Sequence, residues 1–318
     1  MNDERLLKSE AVKALALQLG ADVVGIARAL PVKQTHRYLK WLDDGCAGDM
    51  TYLSKYAEQR FDPGLLLPGA RSVIVTGFNY YPSPADIESM KMPYKVARYA
   101  WGLDYHDVLR RILRRLRAAL KKNVPDLKAR ICVDTAPFMD KYWAQEAGLG
   151  WQGKHSNLVS KDFGNWLVIG SLVIDAEVDT YEKIHNDHCG KCTACIDACP
   201  TGAIERLYTV NATKCISYWT IEAKSDHIPD DISADMQDWV FGCDICISVC
   251  PFNRFQKPHK EGTFSRIGNI GLVETGKVME LSESQFNEKF KSSPIYRPGL
   301  AGLRRNLTAI SRFRSGRQ

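Results

Sequence analysis

Cys189, Cys192, Cys195 and Cys199 follow one another at spacings of x2, x2 and x3, and Pro200 comes directly after the last. That run lets three thiolates cap three corners of one 4Fe–4S cube while the fourth reaches a second cube. A second run, Cys243-x2-Cys246-x3-Cys250-Pro251, has Val240 where a first cysteine would fall. Cys215, further back in the chain, is the natural replacement. The sets that follow are Cys189, Cys192, Cys195 and Cys250 for one cluster, and Cys199, Cys215, Cys243 and Cys246 for the other. Zinc prefers two separated cysteine pairs and has no use for a fourth cysteine followed by proline. Of the ten cysteines, only Cys46 and Cys132 stand outside this pattern, and both read as plain buried thiols. Two such clusters are low-potential electron carriers, so the rest of the chain should host what they reduce.

The elements that would position this acceptor lie mostly in the first half. Arg5 to Leu19 has apolar residues at helical spacing and stops at Gly20. Asp22 to Ala27, Arg71 to Phe78, Ala129 to Val133 and Trp166 to Ile174 read as strands. Asp104 to Asn123 is a long helix with a basic stripe, and Phe138 to Ala147 is a shorter one. Helices alternating with strands predict an α/β domain over residues 1–180. Residues 181–255 turn rich in Cys, Pro and Asp, as expected of a domain held by inorganic clusters rather than by a large apolar core. Residues 256–318 form a tail with two short helices, Ser282 to Phe290 and Gly299 to Phe313. The second is basic through Arg304, Arg305, Arg312 and Arg314.

Composition narrows the class. With 318 residues, 45% hydrophobic and 25% charged, the chain is neither disordered nor fibrous. No apolar run approaches the roughly 20 residues of a membrane helix, and Met1 to Glu10 carries charge in place of a signal-peptide core. The cytoplasm is the expected compartment, where clustered cysteines mean metal before disulfides. A net charge of +6 permits a polyanionic partner without demanding one.

Two motifs mislead. Gly148-x-Gly150-x-x-Gly153 matches a dinucleotide fingerprint but follows a helix, whereas a Rossmann loop follows a strand. It reads better as a helix cap entering a loop. Asp104-x-His106 begins like a cobalamin lower-ligand motif, but Leu109 stands where its glycine should be, so His106 is not expected to ligate a corrinoid from below. The arginines from 110 to 117 fit either a polyanion-binding stripe or a solvated helix face.

Taken together the motifs resemble the epoxyqueuosine reductases. The matching stretches are Gly48-Asp49-Met50-x-Tyr52-Leu53, Arg60-x-Asp62-Pro63, Arg98-x-x-Trp101-Gly102-x-Asp104-Tyr105-His106 and Val133-Asp134-Thr135-Ala136-Pro137. Gly150-Trp151-x-Gly153-Lys154, the two cysteine runs and Cys215-Ile216-Ser217-Tyr218 complete them. The resemblance implies a nitroreductase-like α/β sandwich that binds cobalamin, a ferredoxin-like α+β domain with two 4Fe–4S clusters, and a short helical tail. It implies a monomeric enzyme that reduces epoxyqueuosine to queuosine at the wobble position of the tRNAs for Asp, Asn, His and Tyr. An external low-potential donor would supply the electrons through the clusters to cob(I)alamin. The family's proton donor carries over onto Asp134, which would need a pKa raised by burial. Its cobalamin contacts carry over onto Arg60, Ala97, Arg98, Asp134, His155, Leu158, Ile169, Ser217, Cys243 and Asp244. Many members continue into HEAT-like repeats that grip tRNA. This sequence stops at Gln318, so the anticodon stem-loop is expected to meet the tail arginines together with the cluster domain around the cobalamin mouth. The rival readings are a corrinoid reductive dehalogenase acting on small molecules, a pure electron carrier and a non-catalytic tRNA-binding protein.

Overall fold

A computed structural model describes residues 6–88, 92–260 and 264–314; Arg5, where the first helix was expected to begin, lies outside them. Four strands, β1 (Val23–Arg28), β2 (Ser72–Asn79), β3 (Ala129–Cys132) and β4 (Leu167–Ile174), build one sheet. Its order is β1-β2-β4-β3, and every pairing is antiparallel. The strands fall within a residue or two of their expected places, but the alternation with helices does not make parallel βαβ units. The long connections return each chain segment in the opposite sense. No helix among the described residues is long and apolar enough to cross a membrane.

The sheet is covered on both faces, as strands buried on both sides require. Ile74, Leu172 and Ile174 point to one core. Onto it α2 (Tyr105–Asn123) lays Leu109, Leu113 and Leu116, after α1 (Ser9–Gln18) has covered the sheet's edge. Gly170 of β4 lets α2 approach, since a Cβ there would meet Leu113 at 3.0 Å. Val73, Val75 and Val173, one residue out of phase, point to the opposite core under α3 (Asp140–Glu146) with its buried Trp143 and Ala144.

A third core differs from expectation. Val96, Ala97 and Trp101 pack with Ile216, Val240 and Phe241 and with Phe286, Leu303 and Ile310 of the tail. The cluster-bearing segment therefore has a substantial apolar core, supplied by chain on either side of it. Backbone pairing stitches the join: Lys95–Val96 runs parallel to Trp239–Phe241, and Ala97 N–H donates to Phe241 O at 2.9 Å. The tail is part of this body. Ser282 caps the helix Glu283–Phe290 with a reciprocal Ser–Gln capping box, and α4 (Gly299–Arg314) packs its Leu300, Leu303, Leu307 and Ile310 inward.

The glycine motif is a cap and a close approach. Gly148 follows α3 at φ 71°, and a Cβ on Gly150 would lie 2.1 Å from Val159 O. Cys46 and Cys132 are buried, as expected of structural thiols.

Candidate active site

A cleft opens between the sheet and the segments carrying Cys215 and Cys243. Its main cavity holds about 720 Å³. A second, of about 180 Å³, shares Tyr99, Lys141, Leu167 and Ser217 with it, so the two form one space. β4 provides an apolar wall through Leu167 and Ile169, and Tyr80 and Tyr99 add aromatic surface.

Asp134 stands in the loop after β3 at φ 45°, a left-handed conformation that a short polar residue tolerates. Its carboxylate is 58% exposed to the cleft. Asp104 caps α2 by accepting from His106 N–H at 2.9 Å, and the same oxygen meets His106 Nδ1 at 2.7 Å. The ring is thereby aimed so that Nε2 lies 3.1 Å from Asp134 Oδ2. Arg110, one turn further on, donates to Thr135 Oγ1 at 2.7 Å and steadies the loop. Helix capping thus sets the geometry of this cluster.

The electrostatics follow. Burial opposes charge on His106, but hydrogen bonds to Asp104 and Asp134 outweigh it and push its pKa up to about 9. The stability this imidazolium contributes is complete below about 6.5 and is lost as pH rises through about 9. Burial pulls Asp134 upward, yet the hydrogen bond and charge of His106 prevail and hold it below the usual carboxylate value. In the protein alone, His106 thus holds Asp134 in its charged form. Asp140, unmarked in the sequence, lines the same cavity. Burial, followed by the Asp134 charge, pushes it up to about 8, and its Oδ1 is buried without a partner.

Thiols of the expected sets influence one another electrostatically, although among the described residues no three or more cysteines are arranged as a metal site. All ten are free. Burial raises Cys195, and the nearby thiols of Cys189, Cys192 and Cys250 add to the effect. Burial also raises Cys246, with Cys215 and Cys199 the next contributors, while Cys243 is raised by burial and then by Cys246 and Cys215. Cys192 is exposed, whereas Cys215 and Cys243 line the cleft. Trp151 Nε1–H donates to Cys189 Sγ at 3.5 Å, and buried Lys154 Nζ donates to Gly190 O and Cys192 O at 2.7 and 2.9 Å. The Gly150-to-Lys154 motif thus clamps the first cysteine loop.

Known proteins share this arrangement. Residues 60–135 match the family described as "Epoxyqueuosine reductase QueG, DUF1730", and residues 188–253 match the "4Fe-4S double cluster binding domain". The epoxyqueuosine reductase of Cellulophaga algicola is 41% identical over 300 residues, covering 94% of this chain and 96% of that protein. The chain belongs to the epoxyqueuosine reductase family. Its Synechococcus relative is 45% identical over 271 residues, covering 81% of this chain and 80% of that protein. The crystal structure of an epoxyqueuosine reductase with an epoxyqueuosine-modified tyrosine tRNA stem loop superposes with a TM-score of 0.82 at 27% identity. That likeness covers 96% of this chain and 80% of the other. The chain is accordingly an oxidoreductase with an iron–sulfur domain.

The residues carried over from the family fall into two rows. Asp134, Leu158, Ile169, Ser217, Cys243 and Asp244 line the cleft. Arg60, Ala97, Arg98 and His155 are not among the lining residues. Arg98 donates backbone and side-chain hydrogen bonds to buried Asp244 at 2.9 and 3.2 Å. His155 Nδ1 accepts from the N–H of Asn157, which lines the cleft, at 3.1 Å. Burial holds its pKa down to about 4, so it is neutral. Arg60 is buried, with Nη1 3.4 Å from Phe138 O and Nε without a partner. Gly48 and Asp49 meet the Cys215-to-Tyr218 motif, Asp49 N–H donating to Tyr218 Oη at 2.8 Å. Missed in the sequence were the Asp104–His106 relay, Asp140 and Lys141. Asp104-x-His106 was weighed only as a metal-ligand motif, although an N-cap signature two residues before a histidine was the available signal.

The tail arginines make hydrogen bonds within the protein. Arg305 donates to the carbonyls of Ala223, Ser225 and Trp219 at 2.8, 2.6 and 2.5 Å. Arg304 donates to Met279 O and Leu281 O at 3.0 and 2.8 Å, Arg312 meets His227, and Arg314 donates to Pro93 O at 2.9 Å. Arg304 and Arg305 thereby brace the third core, whereas Arg312 stays exposed. Replacing Arg305 with Ala should cost roughly 2–4 kcal/mol of stability, since charged hydrogen bonds to carbonyls are lost. Denaturant melting checks this. An unchanged midpoint together with lost stem-loop binding would return the helix to RNA recognition.

Proposed function

We propose that the chain reduces the epoxide of epoxyqueuosine to the cyclopentene of queuosine at the wobble position of the tRNAs for Asp, Asn, His and Tyr. The reaction consumes two electrons and two protons and releases the epoxide oxygen as water. The proposal places cobalamin in the cleft and 4Fe–4S clusters on the two cysteine sets. Cys189, Cys192, Cys195 and Cys250 hold the outer one; Cys199, Cys215, Cys243 and Cys246 hold the inner one. The observation that carries it is the Asp104–His106–Asp134 chain facing a cavity whose other side bears Cys215 and Cys243.

The residues present fit a corrinoid. The cleft is large, has an apolar β4 wall, and contains a buried Asn165 Oδ1 with no partner, an acceptor suited to a corrin amide. Leu158, Ile169, Ser217, Cys243 and Asp244 would touch it, while Arg60, Ala97, Arg98 and His155 would support them. When bound and reduced, cobalamin supplies a strong nucleophile and the electron pair that opens the ring. Electrons from an external low-potential donor enter at the exposed Cys192 set and leave at the set lining the cleft. Asp134 presents a proton to the departing oxygen and is reloaded from His106, whose charge Asp104 sustains. Asp140, protonated near neutral pH, stands in the same cavity for the second proton. The enzyme is proposed to act as a monomer in the cytoplasm, where its free thiols stay reduced.

Anaerobically reconstituted protein should hold about eight irons per chain and convert an epoxyqueuosine stem-loop only when cobalamin and a reductant are added. Cluster-replete, cobalamin-loaded protein that leaves the stem-loop unchanged while dehalogenating a small aromatic would overturn this reading in favour of the corrinoid dehalogenase. That rival is not favoured by the relatives at 41–45% identity.

A further inference from the structure

α2 joins the cleft to the outer surface. Its first turns line the cavity through Tyr105, His106 and Arg110, and its inner face, Leu109, Leu113, Leu116 and Leu120, is buried. The opposite face carries Arg111, Arg114, Arg115, Lys121 and Lys122, all exposed. Between Val108 and Pro125 the chain has no Asp or Glu. Asp107, the last acid before that stretch, is 3.8 Å from Arg110. Among the described residues, none of the five exposed cations makes an ion pair.

A helix face kept only for solubility interleaves acids at i+3 and i+4, because like charges at those spacings weaken the helix. Here Arg111 repels Arg114 and Arg115, and nothing on the helix offsets it. At 1.5 Å per residue the nineteen-residue helix is about 28 Å long, so its cations form a track leading away from the cleft mouth. α2 packs on the sheet and α1, whereas the exposed Cys192 belongs to the cluster fold. An acidic electron donor would dock there.

We infer that the outer face of α2 is an RNA-binding surface, on which Arg111, Arg114, Arg115, Lys121 and Lys122 hold backbone phosphates of the stem whose modified nucleoside enters the cleft. The inference rests on the proposed function and assigns it a surface separate from the tail. Phosphate contacts of this kind fix register without reading sequence.

The test is the triple variant Arg111→Gln, Arg114→Gln, Arg115→Gln in the cluster-replete protein, since Gln keeps helix propensity close to that of Arg. Binding of an anticodon stem-loop is followed by fluorescence anisotropy across a salt series. Loss of three phosphate contacts should flatten the slope of log K against log salt by roughly 2–3 and weaken binding at physiological salt by on the order of a hundredfold. Iron content and turnover at saturating stem-loop should hold. A control with Lys8, Lys183 and Lys277 changed to Gln removes the same charge elsewhere and should bind nearly as the parent does. Equal losses in both variants would overturn the surface, leaving only long-range charge. So would unchanged binding, or a loss confined to turnover driven by an acidic flavodoxin while dithionite-driven turnover holds. Failure of the parent itself to reduce the epoxide would instead sink the proposed function and leave the binding result standing.

Discussion

Asp134→Asn should retain its clusters and bind cobalamin yet lose roughly two to four orders of magnitude in turnover, the range of general acid catalysis. Asparagine has nearly the same size, so the left-handed turn after β3 and the hydrogen bond to His106 can survive. What disappears is the ability to pass a proton. Expelling an epoxide oxygen without one would leave an alkoxide in a cleft walled by Leu167 and Ile169, where charge is costly. The His106 dependence supplies a second readout. Because His106 titrates near 9, parent turnover should hold through neutral pH and decline as pH rises through about 9. His106→Gln keeps a polar link between Asp104 and Asp134 but stores no proton. Its turnover should be lower and its alkaline limb displaced toward acid, with stem-loop KM little changed. An Asp134→Asn enzyme as fast as the parent would move the proton source to Asp140, which lines the same cavity.

How far the site could be read in advance depended on whether local spacing or long-range packing positions each group. The cysteine ligand sets were read from spacing, and Cys246 feels Cys215 and Cys199 of its own expected set but also Cys195 of the other. Strand positions were legible because β2 and β4 are long and β-branched. Their antiparallel sense was not, since alternation of elements says nothing about the direction in which a connection returns. Residues 95 and 96 carried no strand signal for another reason. Two strand residues pairing with Trp239–Phe241 carry no periodicity, yet they hold Ala97 and Arg98 against Cys243 and Asp244. Basic charge is ambiguous in sequence: neighbouring carbonyls occupy Arg304 and Arg305, whereas Arg111, Arg114 and Arg115 of α2 make no ion pair among the described residues.

Cys215→Ser is the substitution that most directly tests the inner cluster. Cys215 precedes the helix Ile216–Ile221 at its N-cap position, and its thiol both lines the cleft and neighbours Cys199 and Cys246. If it completes the inner set, serine should cost that cluster much of its iron, taking the content toward about four per chain. Turnover should fall to background, because the remaining cluster, around exposed Cys192, has no thiolate on the cleft wall. The outer cluster should still be reduced by dithionite and still give its own electron paramagnetic resonance signal. Cys46→Ser and Cys132→Ser, which alter buried thiols outside both sets, should keep full iron and full rate provided the protein folds. A Cys215→Ser enzyme with eight irons and normal turnover would show that another group supplies the fourth ligand. An iron-free protein would instead tie the outer cluster to the inner one. The two outcomes separate ligation from electron routing, because only a cluster bordering the cleft can be lost with the outer signal intact and the chemistry silenced.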